Sequence, residues 1–253
     1  MKKLILLLLL ASSFASKSQT VTNTRPDTNQ TDASNHKQGI WMESVNGLNW
    51  YGKYTDDKKE GTWLAYYPGW LPGKIETWKN GKKNGVSLSF ERAGSLLEED
   101  NYTDGLMDGV SRTFYGGGRM KAEIHYKNGK LNGSRKLYTS EGKMQEEGNY
   151  VNETKDGLFK WYYSDGKVNT ESVYKNGVLE GRQVTYYKGG EMESEVIYKD
   201  NKREGVYKEF FENGKTRMEG NFVHDLEEGN WKVYDETGKM SVMKYKNGQQ
   251  LKK

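Results

Sequence analysis

Six glutamates recur at 24-residue intervals and are the first residues whose type and spacing suggest chemistry. They are Glu99, Glu123, Glu147, Glu171, Glu195 and Glu219. Carboxylate oxygens are ligands that Ca²⁺ prefers, at about 2.3–2.6 Å. If these glutamates occupy every second strand of a sheet, neighbours lie roughly 10 Å apart and cannot share one ion. We therefore predict a solvated charge ladder paired with Lys and Arg, and no metal site.

The other reactive residue types give catalysis little support. The chain has no Cys, and its three His are His36, His125 and His224. They do not recur with the repeat, and no Gly-x-Ser-x-Gly elbow, phosphate-binding loop or His-Glu-x-x-His motif is present. We predict a protein that is not an enzyme, with no catalytic residues and no cofactor.

Aromatic side chains are better candidates for binding, because interface centres are enriched in Trp and Tyr. Five of the seven Trp lie between residues 41 and 78, where PGWLPG at 68–73 replaces a tight turn. Two interpretations of this loop stay open: an aromatic cap over the first units, which is favoured, and a contribution to a partner-binding surface. The predicted binding residues are Trp63, Trp70, Trp161, Tyr163, Tyr187 and Trp231.

A 24-residue period organises the chain and must position these residues. Gly occurs at positions 61, 85, 109, 133, 157, 181, 205 and 229. An aromatic residue follows each of these glycines by five positions, and another precedes each by seven. Three columns kept in step through eight units indicate a tandem repeat protein.

Each repeat is predicted to be a β-hairpin, as residues 157–180 illustrate. Asp165-Gly166 separates two runs rich in aromatic and β-branched residues, and Asn176-Gly177 follows the second run. Both dipeptides suit two-residue hairpin turns, which would place Lys160 opposite Glu171 and Gly157 opposite Tyr174.

The predicted fold is mainly β: an elongated, open, single-sheet antiparallel meander of about 18 strands. The predicted units are 39–60, 61–84, 85–108, 109–132, 133–156, 157–180, 181–204, 205–228 and 229–253. The last unit is one residue short, because Gly238 precedes Tyr245 by seven positions whereas Gly166 precedes Tyr174 by eight.

These columns resemble the MORN repeat, in the variant found in tandem in bacterial proteins and often described as antitoxin-like. The resemblance runs through Tyr174-Lys175-Asn176-Gly177, Gly181, Tyr186-Tyr187 and Gly190. It covers residues 39–253. It implies a single-layer sheet that acts in association with proteins or membranes.

The first 18 residues resemble a cleaved secretory signal. Lys2 and Lys3 precede an apolar run, Leu4–Leu10, and small residues follow it. Cleavage after Ala15 or after Ser18 fits, and the second is favoured. The run is too short to span a bilayer, and no Cys follows it for lipid attachment. We predict export to the periplasm, the cell surface or the medium.

Residues 19–38 are polar and are predicted to form a flexible linker. Of the 39 basic residues three lie in the predicted signal, which leaves 36 against 35 acidic residues. A nearly neutral chain offers no basic footprint for nucleic acid.

The predicted function is non-enzymatic binding or scaffolding at the cell envelope, through an unknown protein partner. One alternative is a module that binds cell-wall carbohydrate, with a cell-wall glycan or a membrane surface as partner. Another is an antitoxin or immunity-type inhibitor of an exported toxin.

Overall fold

The structure, a computed structural model, describes residues 28–252, which contain 22 β-strands and no helix. The first eleven strands are β1 Gln30–Thr31, β2 Lys37–Val45, β3 Leu48–Thr55, β4 Lys58–Tyr67, β5 Leu71–Lys79, β6 Lys82–Phe90, β7 Leu96–Thr103, β8 Leu106–Met107, β9 Gly109–Phe114, β10 Met120–Lys127 and β11 Lys130–Tyr138. The other eleven are β12 Met144–Val151, β13 Thr154–Lys155, β14 Gly157–Tyr162, β15 Val168–Lys175, β16 Val178–Tyr186, β17 Met192–Lys199, β18 Lys202–Phe210, β19 Thr216–Val223, β20 Leu226–Tyr234, β21 Met240–Lys246 and β22 Gln249–Gln250. The predicted signal lies outside the described residues.

Consecutive strands pair antiparallel in chain order, so the predicted open single-sheet meander is confirmed. The excess over 18 strands has two causes. β8 with β9, and β13 with β14, are single strands interrupted at Asp108 and Asp156, and both halves pair with the same neighbour. The two-residue strands β1 and β22 add one strand at each end.

Part of the predicted linker lies against the sheet, because β1 and the start of β2 fall within residues 19–38. Gln30 pairs with Gln38, and the side chain of Asn29 exchanges hydrogen bonds with the Met42 backbone. The Asp32 carboxylate accepts the backbone N–H groups of Ser34 and His36 and closes a turn between them. Such hydrogen bonds from side chain to backbone cannot be recognised from a polar composition alone.

The Asn-Gly turns have the predicted conformation. Asn176 and Gly177 have φ values of 49° and 84°, and Lys175 pairs with Val178 across them. Positive φ at both central residues defines the type I′ turn, whose twist matches that of paired strands. The same four residues, Tyr-Lys-Asn-Gly, recur at 126–129 and 245–248, and their Asn and Gly also have positive φ, so each copy marks a type I′ turn.

The Asp-Gly turns differ from the prediction. Only Gly166 has positive φ, and its N–H donates to the Tyr163 carbonyl at 2.9 Å, closing a type I turn. Asn169 is then an extra residue between the Tyr162–Val168 and Trp161–Thr170 pairs. Because this bulge restores the register, the predicted pairs Lys160–Glu171 and Gly157–Tyr174 are nevertheless confirmed.

The same bulge explains the short last unit. In β20 and β21 the pairs run from Gly229–Tyr245 to Tyr234–Met240 without a register shift. The residue missing between Gly238 and Tyr245 is therefore the bulge residue, and its loss leaves the strand pairing intact.

Acidic side chains tie successive type I′ turns together, a feature not predicted from the sequence. The Asp156 carboxylate accepts the Asn176 N–H at 3.2 Å, and the Lys155 carbonyl accepts the Gly177 N–H at 2.8 Å. The residue before each repeat glycine is acidic or Asn in every unit: Glu60, Asn84, Asp108, Asn132, Asp156, Glu180, Glu204 and Glu228. The six acidic members accept a backbone N–H that the two-residue turn leaves free, whereas Asn84 and Asn132 donate to the side chains of Asp104 and Asn152.

Candidate functional site

The sheet has two faces of different chemistry. We call one the aromatic face, because it carries Trp63, Phe159, Trp231 and the tyrosine column that includes Tyr174. We call the other the charged face, because it carries the six-glutamate column. Nine of the ten buried apolar residues lie on the aromatic face; Val184 is the exception.

Three large side chains of the aromatic face each cover a glycine on the neighbouring strand. Trp63 lies over Gly52, Phe159 over Gly148 and Trp231 over Gly220, and a Cβ on any of these glycines would overlap the ring. Both Trp63 and Phe159 have 0% of their surface exposed. These pairs form the structural centres of a sheet that has no second layer.

Basic side chains complete two of these aromatic clusters. The Lys59 ammonium lies 3.9 Å from the Trp63 ring centroid, and the Lys155 ammonium lies 4.7 Å from that of Phe159. Trp161 and Tyr174 place their centroids 5.1 and 4.8 Å from the same Lys155 ammonium. Cation–π contacts of this kind hold the chain's own lysines and strengthen the clusters.

One row of residues crosses the charged face in continuous register from β2 to β21. From β7 to β20 it is the charge ladder, apart from Val184: Glu99, Arg112, Glu123, Lys136, Glu147, Lys160, Glu171, Val184, Glu195, Lys208, Glu219 and Lys232. Ion pairs join Lys160 to Glu171 at 3.0 Å and Lys232 to Glu219 at 2.7 Å. The predicted charge ladder is confirmed.

Tyrosines of the charged face donate to this ladder, and their ionisation is shifted as a result. The Tyr162 hydroxyl donates to Glu147 at 2.6 Å. Burial, reinforced by that hydrogen bond and by the carboxylate charge, raises the pKa of Tyr162. The hydrogen bond from Arg112 to Glu123 likewise raises the pKa of the arginine. These groups stabilise the sheet, and none of them is poised for proton transfer near pH 7.

At the N-terminal end the same row becomes apolar. Its members there are Met42, Tyr51, Leu64, Ile75 and Leu88, each paired with the next across β2 to β6. We call them the apolar row. Met42 is 46% exposed, and nearby Ile40 is 47% exposed.

Trp70 extends the apolar row from the Pro-containing loop. Its indole is 68% exposed, stacks on Tyr51 at 5.6 Å between ring centroids, and lies equally far from Tyr66. Its φ of 66° is rare for a bulky residue and carries a strain of about 1–3 kcal/mol. The loop therefore holds an exposed Trp against the charged face at a cost in strain.

The repeats after this end match a known family. The family model described as MORN repeat variant matches six consecutive segments: 107–128, 131–152, 155–176, 179–200, 203–224 and 227–247. Together they account for just over half of the chain. The chain belongs to the MORN repeat variant family. Its members are generally protein- or membrane-binding scaffolds that lack enzymatic activity.

Other comparisons add little to this assignment. A search of curated proteins finds no match. The crystal structure of the GtfA/B complex bound to UDP and GlcNAc is similar at 15% identity, over 53% of this chain and 22% of that one. Its TM-score of 0.16 is too low for any functional argument.

Within the MORN array, the predicted binding residues do not form one site. Trp63 and Trp231 are core side chains with 0% and 3% exposure, so a partner cannot reach them in this conformation. Tyr163 and Tyr187 donate hydroxyl hydrogen bonds to the carbonyls of Tyr186 and Phe210 in the next repeat.

Trp161 is half-buried in the Phe159 cluster and donates its Nε1–H to Glu146 at 3.2 Å. Trp70 alone of the six predicted residues presents most of its surface to solvent. The apolar row, which lies beside Trp70, was not predicted. It can be seen in the sequence once the repeats are aligned by their glycines.

Residues 28–252 lack two features. No helix there is long and apolar enough to cross a membrane. No group of three or more His, Asp or Glu side chains in that range is arranged to hold a metal ion.

Proposed function

We propose that this protein is an exported, non-enzymatic scaffold that binds a protein partner through the apolar row and Trp70. The observation that carries the proposal is the change of one register row from a charge ladder to five apolar residues. The ladder alternates acidic and basic side chains, and ion pairs join Arg112 to Glu99 and Glu123, Lys160 to Glu171 and Lys232 to Glu219, so it offers a partner little apolar surface. The apolar row leaves Met42 about half exposed, and Trp70 beside it is the most exposed large hydrophobic residue of the described chain.

The position of this surface supports a role specific to this chain. The apolar row ends at Leu88, whereas the segments that match the family begin at residue 107. The repeats shared with the family therefore provide the regular array, and the departures from it are concentrated in the first three hairpins. Function in repeat proteins is commonly carried by such departures on one face.

The surroundings of the apolar row favour a protein over a lipid surface. Mostly neutral polar side chains flank it, including Asn49 opposite Tyr66 and the paired Thr62 and Thr77, with Lys53 opposite Ile40 as a basic neighbour. An apolar centre with a polar rim is the anatomy of a protein interface. Attraction to anionic lipid would instead favour a cluster of Lys and Arg around the apolar centre.

The interface is tested with a photo-crosslinking amino acid placed at Met42, and at Val206 as an exposed control near the other end of the charged face. We expect envelope proteins to be crosslinked from position 42 and not from 206. Trp70→Gly should abolish the crosslink without loss of stability, because glycine relieves the positive φ. A large fall in melting temperature with the crosslink retained would instead make Trp70 a structural cap. A crosslink to a second copy of the chain would contradict a distinct partner.

Export rests on the predicted signal and is tested separately. We expect the protein from the periplasm or medium to begin at Gln19, or at Ser16 if cleavage follows Ala15. N-terminal sequencing of the fractionated protein measures this directly. An intact Met1 in the cytoplasmic fraction would contradict export and leave the proposed interface unaffected.

A further inference from the structure

A cleft of about 440 Å³ opens on the aromatic face of the first three hairpins, on the side of the sheet opposite the apolar row. Its walls include Trp50, Trp78 and Tyr67, and its charged groups are Glu43, Glu76, Lys59, Lys74 and Lys83. The volume is within the range of small-molecule sites, and so is the combination of aromatic walls with a few polar groups.

A small residue opens one side of this cleft. Ala65 lies between Trp50 and Lys74 in one register row and is buried, so β4 carries only a methyl group at that point, whereas Trp63, two residues earlier on the same face, covers Gly52. Trp50 on β3 and Trp78 on β5 stand two strands apart. The Lys59 ammonium lies 5.2 and 5.3 Å from their ring centroids, which places it at the base between them.

The cleft has one lysine more than its carboxylates neutralise. Lys59 pairs with Glu43 and Lys83 pairs with Glu76, both at 2.8 Å. Glu76 also accepts the Trp78 Nε1–H at 3.1 Å. Lys74 makes no ion pair within residues 28–252 and keeps its positive charge for a ligand.

The arrangement does not recur along the array. The positions equivalent to Trp50 in later hairpins are Lys74, Glu98, Ala122, Glu146, Thr170, Ser194, Met218 and Ser241. Among the residues seven before each repeat glycine, Trp78 is the one Trp. The repeat itself does not require an aromatic residue at position 50, so the cleft is an addition to the fold.

We propose that this cleft binds a sugar that carries a carboxylate. The indole faces of Trp50 and Trp78 would pack against the apolar faces of the sugar ring. Glu43 would accept a hydrogen bond from one of its hydroxyls, the buried Glu76 would hold Trp78 and Lys83 in place, and Lys74 would pair with its carboxylate. An extended peptide fits less well, because strands β2 to β6 are paired on both sides and offer no free edge for its backbone.

The proposal is tested by calorimetric titration of the purified protein with three probes. They are an N-acetylglucosamine–N-acetylmuramic acid disaccharide, an oligogalacturonate and neutral chitotriose. We expect at least one acidic probe to bind about tenfold more tightly than chitotriose, which corresponds to one charged contact. Binding of the muramic acid probe alone would identify wall glycan as the source, and binding of both would extend the site to uronic acids.

Variants show whether the cleft is responsible. Lys74→Gln should weaken the acidic probe about tenfold and leave chitotriose unchanged, whereas Trp50→Ala should weaken both by about tenfold or more. Lys136→Gln, which changes a lysine of the charged face, is the matched control and should bind as the parent does. Melting curves verify that each variant is folded. Equal affinity for acidic and neutral probes, no binding at millimolar concentration, or parental affinity in Lys74→Gln would overturn the proposal.

Discussion

Replacing Trp63 with alanine is expected to lower the free energy of unfolding by about 3–5 kcal/mol, the range for a buried large aromatic residue. The indole has no exposed surface and fills the space over Gly52. Its Nε1–H donates to the Lys53 carbonyl at 3.2 Å, and its ring meets Tyr54 edge-on at 5.0 Å. Without the indole, a cavity forms over Gly52 between β3 and β4. A single-layer sheet has no second layer that could move in to fill it.

The loss at Trp63 should be local, which hydrogen exchange can measure. Each hairpin contacts mainly its neighbours, so the stability of an array is a sum of unit and interface contributions. Exchange should accelerate in β2 to β6 and remain at parental rates in β17 to β21. Trp70→Ala, a change at an exposed Trp of the same region, should cost about 0.5–1.5 kcal/mol at most, the value of its ring stacking. Equal acceleration along the whole chain, or a cost like that of Trp70→Ala, would contradict the assignment of Trp63 as core.

The strand register could be predicted from the sequence, because it depends on residues that every repeat must keep. The aromatic columns and the Asn-Gly dipeptides recur every 24 residues, and they determined which residues face each other. The form of the Asp165-Gly166 turn could not be predicted in the same way. A two-residue turn and a type I turn with a bulge produce the same pairing beyond Trp161, so the columns cannot distinguish them.

The core residues were harder to predict, since a single column does not reveal them. Two positions after each repeat glycine come Trp63, Ser87, Ser111, Arg135, Phe159, Gln183, Tyr207 and Trp231. Taken alone, this column varies in residue type from repeat to repeat. The variation suggests that the fold does not require its Trp residues, which led to the prediction that they bind a partner. Read with the facing column, it shows size complementarity, because each of the large rings of Trp63, Phe159 and Trp231 lies over a glycine on the preceding strand.

The two candidate binding surfaces, the apolar row and the cleft, differ in how much of them the sequence alone reveals. The apolar row becomes visible when Leu64 and Leu88 are aligned with the basic residues of later repeats, and Ile75 with the glutamates. The cleft depends on Trp50, Ala65 and Lys74 meeting in one row. That meeting requires the register of the two irregular first hairpins, where the bulge falls at Gly73. The cleft could not be located before the strands were paired, whereas the apolar row requires only that the repeats be aligned.

Gly148→Ser is expected to destabilise the protein by about 3 kcal/mol, at the upper end of the cost of overpacking a core. Its backbone has an ordinary extended conformation, so the added side chain brings no backbone strain, and the whole cost comes from Phe159. That ring is fully buried, and the rings of Tyr150 and Tyr174 contact it edge-on at centroid distances of 5.3 and 5.1 Å. It therefore has no space into which it can move to relieve the overlap. Gly116→Ala is the matched control, since only a Glu91 carboxylate oxygen at 3.8 Å would meet its Cβ. It should shift stability by no more than about 0.5 kcal/mol.

A second substitution should recover part of this loss, because the next repeat already contains the alternative pair. There Ser172 takes the position of Gly148 and Gln183 that of Phe159, and the Gln183 amide donates to the Ser172 hydroxyl at 2.8 Å. Phe159→Gln alone removes a buried ring and should cost about 3–5 kcal/mol. Combined with Gly148→Ser it removes the overlap and gains a hydrogen bond, so the double variant should be more stable than the two single losses predict by about 1–3 kcal/mol. The four proteins of this double-mutant cycle are compared by denaturant titration. Additive losses would show that the two columns do not pack as complementary pairs.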